Sequence, residues 1–534
     1  MSTPDVIIIG AGHNGLVAAG YLARAGRNVV VLERRPIVGG AAVSERPFGP
    51  DFLVTSLSYV VSLMPAKMIR ELRLAEHGYY VYPQGPYVAP RRDGRCLRLP
   101  DDGRLRYEEI ARFSRRDAEA FTRWNDWLAG LGKLVGPLLD EIPPKLGSKR
   151  PADLMGQAAL LKQLRNVDTR AAFDLTRLFT SSIADLVEPR FESDAMRGLL
   201  SVSGVIGTWA GPRSPGTAYV MLHHHVGEVD GHAAAWGFPR GGMGGVTQAM
   251  AAAAQSFGAK IVCNAAVDQI LVDDGRVRGV ALADGTELRA DVVITTAHPK
   301  ISFLDLIDPA ELPDDFVADI GAWQTRSGTV KVNYAVDRLP VLTSHPAPDP
   351  EVYGGTIVLA ESLDDVEIAY QEAAAGRPAT YPFADICIPS VFDPTLAPEG
   401  KHIVSAFTQW VPHEYANAPH DDELAAYGDR LTARIEAVAP GFTDSIIGRQ
   451  VIGPHEMQQE YGLVGGNIFH GELTPGQMFH CRPAAGYADL RTPIVGLYQA
   501  GSATHGGGGV TGIPGRNVVK QVLSDQRRGK LRKR

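Results

Sequence analysis

The chain has few cysteines, and their spacing excludes several kinds of redox and metal chemistry. Its 534 residues include four, namely Cys96, Cys263, Cys387 and Cys481. No two of them are close in sequence, so there is neither the Cys-x-x-Cys pair of a thiol–disulfide enzyme nor a zinc-finger spacing. The wide spacing also fits a reducing compartment. Redox chemistry in this protein must therefore come from a bound group.

Long hydrophobic runs and an excess of positive charge are also missing. No apolar stretch reaches the roughly 18 to 20 residues that a membrane-spanning helix needs. The net charge of -7 gives no reason to expect nucleic acid as a partner. A glycine motif begins within ten residues of Met1, which leaves no room for a signal or transit peptide. We expect a cytoplasmic protein that is soluble or lies peripherally on a membrane.

The chain does have a βαβ unit with a glycine fingerprint at its N-terminus. The apolar run 6–9 predicts a strand, Gly10-Ala11-Gly12-His13-Asn14-Gly15 follows, and Leu16–Ala25 predicts a helix. A second buried strand, 29–32, ends at Glu33. In such units the first glycine makes the turn, the second lets the backbone approach a pyrophosphate, and the third allows close helix packing. The acid accepts hydrogen bonds from the adenosine ribose.

A glycine pair shortly after Glu33 favours FAD over a nicotinamide dinucleotide. Glu33-Arg34-Arg35-Pro36 leads into Val38-Gly39-Gly40-Ala41, and many FAD enzymes have an acid, a short spacer and two glycines at this point. Those enzymes often have arginine after the pair, so Ala41 removes one expected phosphate contact. Because a single dinucleotide fingerprint is visible, we predict no stable second site for NAD(P)H.

A second part of the FAD site is predicted near the C-terminus. A strand ends at Gly501-Ser502, and a glycine-rich stretch leads to Val510-Thr511-Gly512-Ile513 before the closing helix. Backbone N–H groups at such a turn stabilise negative charge, here on the flavin ring. A strand carrying Val267 is expected beside the adenine. The predicted cofactor-binding residues are Gly10, Gly12, His13, Asn14, Gly15, Glu33, Arg34, Gly39, Gly40, Ala41, Val267, Gly501, Ser502, Val510, Thr511, Gly512 and Ile513.

The order of these motifs predicts an α/β fold with a discontinuous Rossmann-like FAD-binding domain. An α+β substrate domain with a helical insertion interrupts it. We assign 1–75, 235–299 and 486–525 to the FAD-binding domain, 76–234 and 300–485 to the substrate domain, and 526–534 to a basic tail. A solvated tail is the simplest interpretation of the last segment, and contact with anionic lipid is the alternative.

The helical insertion begins with a long amphipathic pattern. Ser114 and Asp117 resemble a capping box, and apolar residues then recur at three- and four-residue steps. These residues are Phe121, Trp124, Leu128, Leu131, Val135 and Leu138. A core-facing helix is the simplest interpretation, and a substrate tunnel or a membrane face are alternatives. The segment 52–63 is either a wall near the flavin or an ordinary buried segment, and 465–471 is predicted to line the pocket.

A cluster of three histidines and one separate histidine need an interpretation. His223-His224-His225 resembles a metal cluster, but neighbours on a strand point to opposite faces, so we predict no metal site. His505, in the C-terminal glycine-rich stretch, is the candidate catalytic residue. It could act as acid or base, or only pack and hydrogen-bond within the loop.

The motifs together resemble the phytoene desaturase-related flavoproteins. The likeness rests on Gly10–Leu16, Arg240-Gly241-Gly242-Met243-Gly244 and His505–Asn517, and it extends over nearly the whole chain. Within that family it is closest to the carotenoid ketolase branch and to a mitochondrial oxidoreductase named for a pyridine nucleotide–disulfide oxidoreductase domain. The resemblance implies a two-domain FAD fold and hydride removal from, or oxidation of, an apolar polyene or lipid-like molecule.

The leading hypothesis is therefore an FAD-dependent oxidoreductase that takes hydride from an apolar small molecule, with oxygen or a quinone as the electron acceptor. One alternative is an amine oxidase-like flavoenzyme, which would need an aromatic pair flanking the flavin. Another is a flavin-bound regulatory or partner protein with little turnover. The sequence does not decide the oligomeric state, for which a homodimer is one option.

Overall fold

The computed structural model describes residues 3–149, 151–165, 167–347, 349–529 and 531. Its strands are β1 (Val6–Ile9), β2 (Val29–Leu32), β3 (Ser44–Glu45), β4 (Val54–Thr55), β5 (Val81–Pro83), β6 (Tyr87–Pro90), β7 (Cys96–Leu99), β8 (Glu228–Val229), β9 (His232–Ala233), β10 (Gly237–Pro239), β11 (Lys260–Val262), β12 (Val267–Asp273), β13 (Arg276–Leu282), β14 (Glu287–Arg289), β15 (Val293–Thr295), β16 (Thr329–Val336), β17 (Thr356–Leu359), β18 (Phe383–Cys387), β19 (His402–Gln409), β20 (Ile446–Ile452) and β21 (Leu497–Gln499). Its α-helices are α1 (His13–Arg24), α2 (Ala66–Glu71), α3 (Gly103–Ala111), α4 (Arg115–Asp140), α5 (Pro151–Leu164), α6 (Thr169–Thr180), α7 (Ile183–Val187), α8 (Asp194–Ser203), α9 (Thr217–His223), α10 (Gly242–Ser256), α11 (Asp314–Ala322), α12 (Pro350–Tyr353), α13 (Leu363–Ala374), α14 (Asp421–Val438), α15 (Pro454–Tyr461) and α16 (Ile513–Arg527).

A parallel sheet of five strands positions the fingerprint. The strand order is β11-β2-β1-β15-β21, and every neighbouring pair is parallel. Apolar residues of α1, α10 and α16 cover one face, and the antiparallel sheet β12-β13-β14 lies on the other. The strand order reverses at β1, with β2 and β11 added on one side and β15 and β21 on the other, so the carboxyl ends of β1 and β15 border the crevice where such sheets bind ligands. The predicted α/β class is confirmed.

A second, mixed sheet forms a wall of the other half of the molecule. Its order is β20-β16-β19-β18-β17-β6-β7, with β17 and β6 as the parallel pair. Alternate residues face opposite sides, as in any strand. Tyr334 and Thr408 point to α14, where their hydroxyl groups lie within hydrogen-bond distance of Thr432 and Tyr427. The opposite face looks into the cavity described below.

The long helix predicted after Ser114 is present as α4, but its capping differs from the prediction. The Ser114 hydroxyl accepts from the Asp117 N–H at 3.1 Å, as an N-cap does. The Asp117 carboxylate instead accepts from the backbone N–H groups of Glu192 and Ser193, at 2.7 and 3.0 Å. The capping-box prediction was therefore half right, because the acid ties α4 to the loop before α8.

The prediction of a strand at the three adjacent histidines is wrong. His223 ends α9, and the side chains of His224 and His225 bond back to the carbonyl oxygens of Val220 and Met221, each at 2.8 Å. The preceding run is apolar on every side, and such a short run does not distinguish a buried helix from a strand. Among the described residues, no group of three or more His, Cys, Asp or Glu side chains is placed to hold a metal ion.

The ends of the chain and its surface complete the fold. Helix α16 continues through Arg527, so the predicted basic tail begins inside a helix, and residues 530 and 532–534 lie outside the described residues. Within the described part of the chain, no helix combines the length and the apolar character that crossing a membrane requires. Exposed apolar side chains are found on α5, where Met155 is 75% and Leu161 68% exposed.

Buried histidines join the substrate-side segments to the nucleotide-binding segments. His223 Nε2 lies 3.2 Å from the carbonyl oxygen of Gly508, His298 Nε2 lies 3.1 Å from that of His470, and His505 Nε2 lies 2.8 Å from that of Leu138. Burial lowers the pKa of His223 to about 3 and that of His505 to about 4. At neutral pH these rings are uncharged donors that hold loops against helices.

We expect the protein to lose stability as the pH falls from about 7.5 to about 5. A histidine with a folded-state pKa near 4 and an unfolded value of 6.5 takes up a proton on unfolding in this range. Its stabilisation is complete above pH 6.5 and is lost as the pH falls, by about 2 kcal/mol at pH 5 for each such residue. Melting temperatures measured at the two pH values test this. His223→Gln should flatten the dependence, whereas His232→Gln, at an exposed position, should not; equal slopes in all three proteins would contradict the explanation.

Candidate dinucleotide and substrate site

The glycines of the fingerprint have different spatial surroundings. Gly10 has a φ of +95°, and a Cβ at Gly15 would lie 2.1 Å from the carbonyl oxygen of Gly10. A Cβ at Gly12, by contrast, would meet no atom of the described chain within 4 Å. The first and third glycines therefore let the turn and α1 pack together. The second leaves open space at the helix N-terminus, where backbone N–H groups favour an anion.

Glu33 closes the other side of this turn. Its buried carboxylate accepts from the N–H groups of Ala11 at 2.8 Å and Arg35 at 2.9 Å. Arg34, also predicted to bind the cofactor, is exposed and donates to the carbonyl oxygens of Gln459 and Glu460. The acid thus faces the fingerprint, while Arg34 faces the last turn of α15.

The glycine pair passes directly beneath the fingerprint. The Gly39 N–H donates to the Ala11 carbonyl oxygen at 2.9 Å, and a Cβ at Gly40 would lie 3.5 Å from the Cα of Gly12. At Gly39, with a φ of +126°, a Cβ would lie 2.6 Å from the carbonyl oxygen of Ala42. Ala41 then lines the cavity. The two glycine motifs, separate in sequence, form one surface.

The C-terminal segment joins the same surface. Asn14 Nδ2 donates to Ser502 Oγ at 3.2 Å, and a Cβ at Gly515 would lie 2.2 Å from the Asn14 carbonyl oxygen. Thr511 fixes the turn before α16, because its hydroxyl donates to the Gly506 carbonyl oxygen at 2.8 Å and accepts from the Ile513 N–H. Gly512 is the N-cap of α16 with a φ of +68°, Val510 lines the cavity, and Gly501 packs against the Thr296 carbonyl oxygen.

Val267 lies at the opposite end of the cradle. It begins β12, just after Ala265, whose N–H donates to the Glu33 carbonyl oxygen at 2.8 Å. The start of this strand is therefore beside the carboxyl end of β2. A nucleoside whose ribose met Glu33 would have Val267 as a near neighbour.

Two buried polar atoms test whether a dinucleotide fits this cradle. His13 Nε2 and Asn14 Oδ1 find no hydrogen-bond partner among the described residues, although both belong to the first turn of α1. Burial lowers the pKa of His13 to about 4, so the ring is neutral near pH 7. These unpaired atoms lie near the open space at Gly12. A pyrophosphate and a flavin bound there would supply their hydrogen-bond partners. The residues present therefore fit FAD.

A large cavity extends from this cradle into the half of the molecule that contains the seven-stranded sheet. Its volume is about 700 Å³. His13, Ser502 and Val510 line its cradle end, and the segment Leu57–Leu63 lines its side. The buried α4 residues Phe121, Trp124 and Leu128 form part of the wall. The α4 stripe is thus both core-facing and cavity-lining. The loop residues Ile468, Phe469 and His470 also line the cavity.

The sheet wall of the cavity carries ionisable residues that sequence reasoning missed. Lys331 on β16 and Asp385 on β18 both pair with Phe407 of β19, so the three side chains form one row facing the cavity. Burial lowers the pKa of Lys331 to about 7 and raises that of Asp385 to about 7. The available signal was a single charge inside each of two apolar strands, because charged residues are almost never fully buried without a reason.

His505 does not line this cavity. Its ring is buried between the C-terminal glycine-rich stretch and the end of α4, with Nε2 against the Leu138 carbonyl oxygen. Of the histidines near the cradle, His13 and His470 line the cavity, and His470 Nδ1 finds no partner among the described residues. A catalytic role for His505 stays a prediction, while its contacts are those of a structural residue.

Comparison with known proteins gives a consistent assignment. The sequence profile of the flavin-containing amine oxidoreductases matches residues 15–515. The rat pyridine nucleotide-disulfide oxidoreductase domain-containing protein 2 is 37% identical over 98% of this chain and 93% of its own. One of the limonene dehydrogenase polypeptides of Castellaniella defragrans is 26% identical over 98% of this chain and 94% of its own.

Solved structures share the architecture. Cyclohexylamine oxidase from Brevibacterium oxydans aligns with a TM-score of 0.56 over 98% of this chain and all of its own, at 20% identity. At that identity the likeness shows the fold alone. The profile match and the rat relative both extend over nearly the whole chain, and the cradle fits the cofactor for which the profile is named. The chain therefore belongs to the family of flavin-containing amine oxidoreductases.

Proposed function

We propose that this FAD-dependent oxidoreductase removes hydride from a C–H bond of an apolar, polyene- or lipid-like substrate. The observation that carries the proposal is the cavity, whose wall is mostly apolar and which reaches the cofactor cradle at His13, Ser502 and Val510. FAD supplies the hydride acceptor when it is bound. The name of the limonene dehydrogenase relative, which gives an apolar terpene as what that protein dehydrogenates, supports the same substrate class.

The protein's own contribution is to hold the substrate and exclude water. Phe121, Trp124 and Leu128 offer a continuous apolar surface from α4, and Leu57–Leu63 offers a second one from the segment after the glycine pair. A flexible chain held between such walls loses its solvent shell and most of its conformational freedom before reaction. Orientation and desolvation of this kind account for much of the rate gain in enzymes.

Formation of a double bond needs a proton acceptor as well. When hydride leaves one carbon, a proton must leave its neighbour. Lys331 lines the cavity and has a pKa lowered by burial to about 7, so much of its amine is neutral near pH 7 and is able to take that proton. Its Nζ is held by Asn333 Oδ1 at 2.9 Å and by the Ser405 hydroxyl. We assign this role to Lys331 rather than to His505.

An amine substrate is the second candidate. The observation that favours it is an aromatic pair in the cavity wall, Tyr59 and Phe407, with ring centroids 6.4 Å apart and planes tilted by 31°. An aromatic pair with a nearby carboxylate would suit an ammonium group. The extent of apolar wall beyond this pair favours the larger apolar substrate.

Gly12→Val should weaken FAD binding without unfolding the protein. The open space at the Gly12 Cβ position and its φ of -68° tolerate a side chain, but that side chain would occupy the cradle. We expect FAD affinity to fall by about tenfold or more, the equivalent of losing a hydrogen bond to a charged group. Visible flavin absorbance after titration with FAD measures this. Gly130→Val, at an exposed position on α4 with equally open surroundings, is the matched control. Normal FAD binding by Gly12→Val would show that the cradle is elsewhere.

Anaerobic mixing tests the reaction itself. We expect the flavin absorbance of the FAD-loaded protein to bleach in a single turnover with limonene or with a polyene lipid in detergent micelles, and not with NADPH. Bleaching by cyclohexylamine instead would support the amine alternative. A flavin that none of these reduces would favour a regulatory protein with little turnover, and rapid reduction by NADPH would contradict the prediction that the protein has no stable site for NAD(P)H.

A further inference from the structure

An unpartnered carboxylate oxygen lies in the wall of the apolar cavity. Asp385 is 6% exposed, lines the cavity, and its Oδ1 finds no hydrogen-bond partner among the described residues. A buried acceptor without a partner is costly, so native proteins rarely keep one unless a ligand or water completes it. The fold of the sheet does not require an acid at this place, because the neighbouring strands pair through their backbones.

The residues around Asp385 leave its carboxylate on the cavity side of the sheet, with Oδ1 itself buried. Phe407 stands between Asp385 and Lys331 in the cross-strand row, which puts the two Cα atoms about 10 Å apart, two strand spacings. The Lys331 amine is already held by Asn333 and Ser405. Burial raises the pKa of Asp385, and Tyr59, which approaches from the cavity-lining segment, partly offsets that rise. On the other side, Val358 is apolar and pairs with Asp385.

We propose that Asp385 binds a hydroxyl group of an otherwise apolar substrate, with its carboxylate as the hydrogen-bond acceptor. The proposal deepens the proposed function and rests on it, since it names the one polar group of the molecule that the cavity takes. Asp385 acts as a specificity-determining residue that fixes one end of a flexible chain. The rest of the chain lies along the apolar walls of α4 and Leu57–Leu63 toward the cradle.

Charge balance favours a hydroxyl over an ammonium group. Before the reaction Lys331 is neutral, and an ammonium group would balance Asp385; once Lys331 has taken the substrate proton, the same carboxylate must balance Lys331. A bound ammonium group would then leave a net positive charge in an apolar cavity, whereas a neutral hydroxyl leaves the carboxylate to balance Lys331. Unbalanced charge of this kind is strongly disfavoured away from water.

Binding of three matched probes to the FAD-loaded protein tests the inference. Octanol, methyl octyl ether and octylamine have the same apolar chain and differ in the head group. We expect calorimetric titration to show octanol binding about tenfold more tightly than the ether, as for a hydrogen bond to a charged acceptor, and more tightly than the amine. Equal affinities for octanol and the ether would overturn the proposal, and tighter binding of octylamine would overturn the choice of head group.

Variants separate the carboxylate from the general shape of the cavity. Asp385→Asn should reduce the octanol preference to about threefold or less, and Asp385→Leu should abolish it. Val358→Ala, next to Asp385 in the sheet, should weaken octanol and ether alike and leave their ratio unchanged. A ratio that persists in Asp385→Leu would contradict the assignment.

The same samples distinguish this inference from the proposed function. Flavin absorbance is recorded before titration, and bleaching by limonene is measured separately. An octanol preference without any bleaching would contradict the proposed reaction and leave the Asp385 contact standing. Bleaching without an octanol preference would contradict the Asp385 contact alone.

Discussion

The close contact between α1 and the turn before it is the constraint on which the rest of the structure depends. At Gly15 a side chain would stand 2.1 Å from the Gly10 carbonyl oxygen, and at Gly515 one would stand 2.2 Å from that of Asn14. Backbone therefore packs directly on backbone at both ends of the first helical turn. Gly39 reaches the same turn from a third direction through its hydrogen bond to Ala11. The N-terminal and C-terminal segments of the chain meet at one helix N-terminus because Gly15 and Gly515 lack side chains there.

Buried polar groups then tie the substrate half to this cradle. The guanidinium group of Arg482 donates to the carbonyl oxygens of Phe469 and Ser502, at 2.6 and 3.2 Å, and so joins a cavity-lining loop to the cofactor surface. Burial lowers the pKa of Arg482 to about 10, and the carbonyl groups around it compensate for its lost hydration. Together with the bonds of His223 and His298, this contact fixes the cavity relative to the site where the cofactor would bind.

Local motifs could be predicted from the sequence, and contacts between distant strands could not. The fingerprint, Glu33 and the glycine pair lie within one βαβ unit, where spacing alone sets geometry, so the α/β class and the cofactor followed from them. Lys331 and Asp385 face the same cavity only because β16 and β18 both pair with β19 at Phe407. A single sequence does not reveal strand register, although a lone charge in an apolar strand marks each residue as unusual. The prediction for the short run before His223 was wrong for a different reason. A run that is apolar on every side has no periodicity that distinguishes a helix from a strand.

The two ionisable residues of the cavity wall are informative because burial moves their pKa values toward each other. In water the pKa values of lysine and aspartate differ by more than six units, whereas in this protein both pKa values lie near 7. Each of the two groups is then partly protonated near pH 7, so either one takes up or releases a proton at little cost. The reaction that we propose would use this property, since a lone charge left in an apolar cavity by the departing proton would be opposed by desolvation. Two groups able to exchange a proton thus lie in one row of side chains in the wall of an apolar chamber.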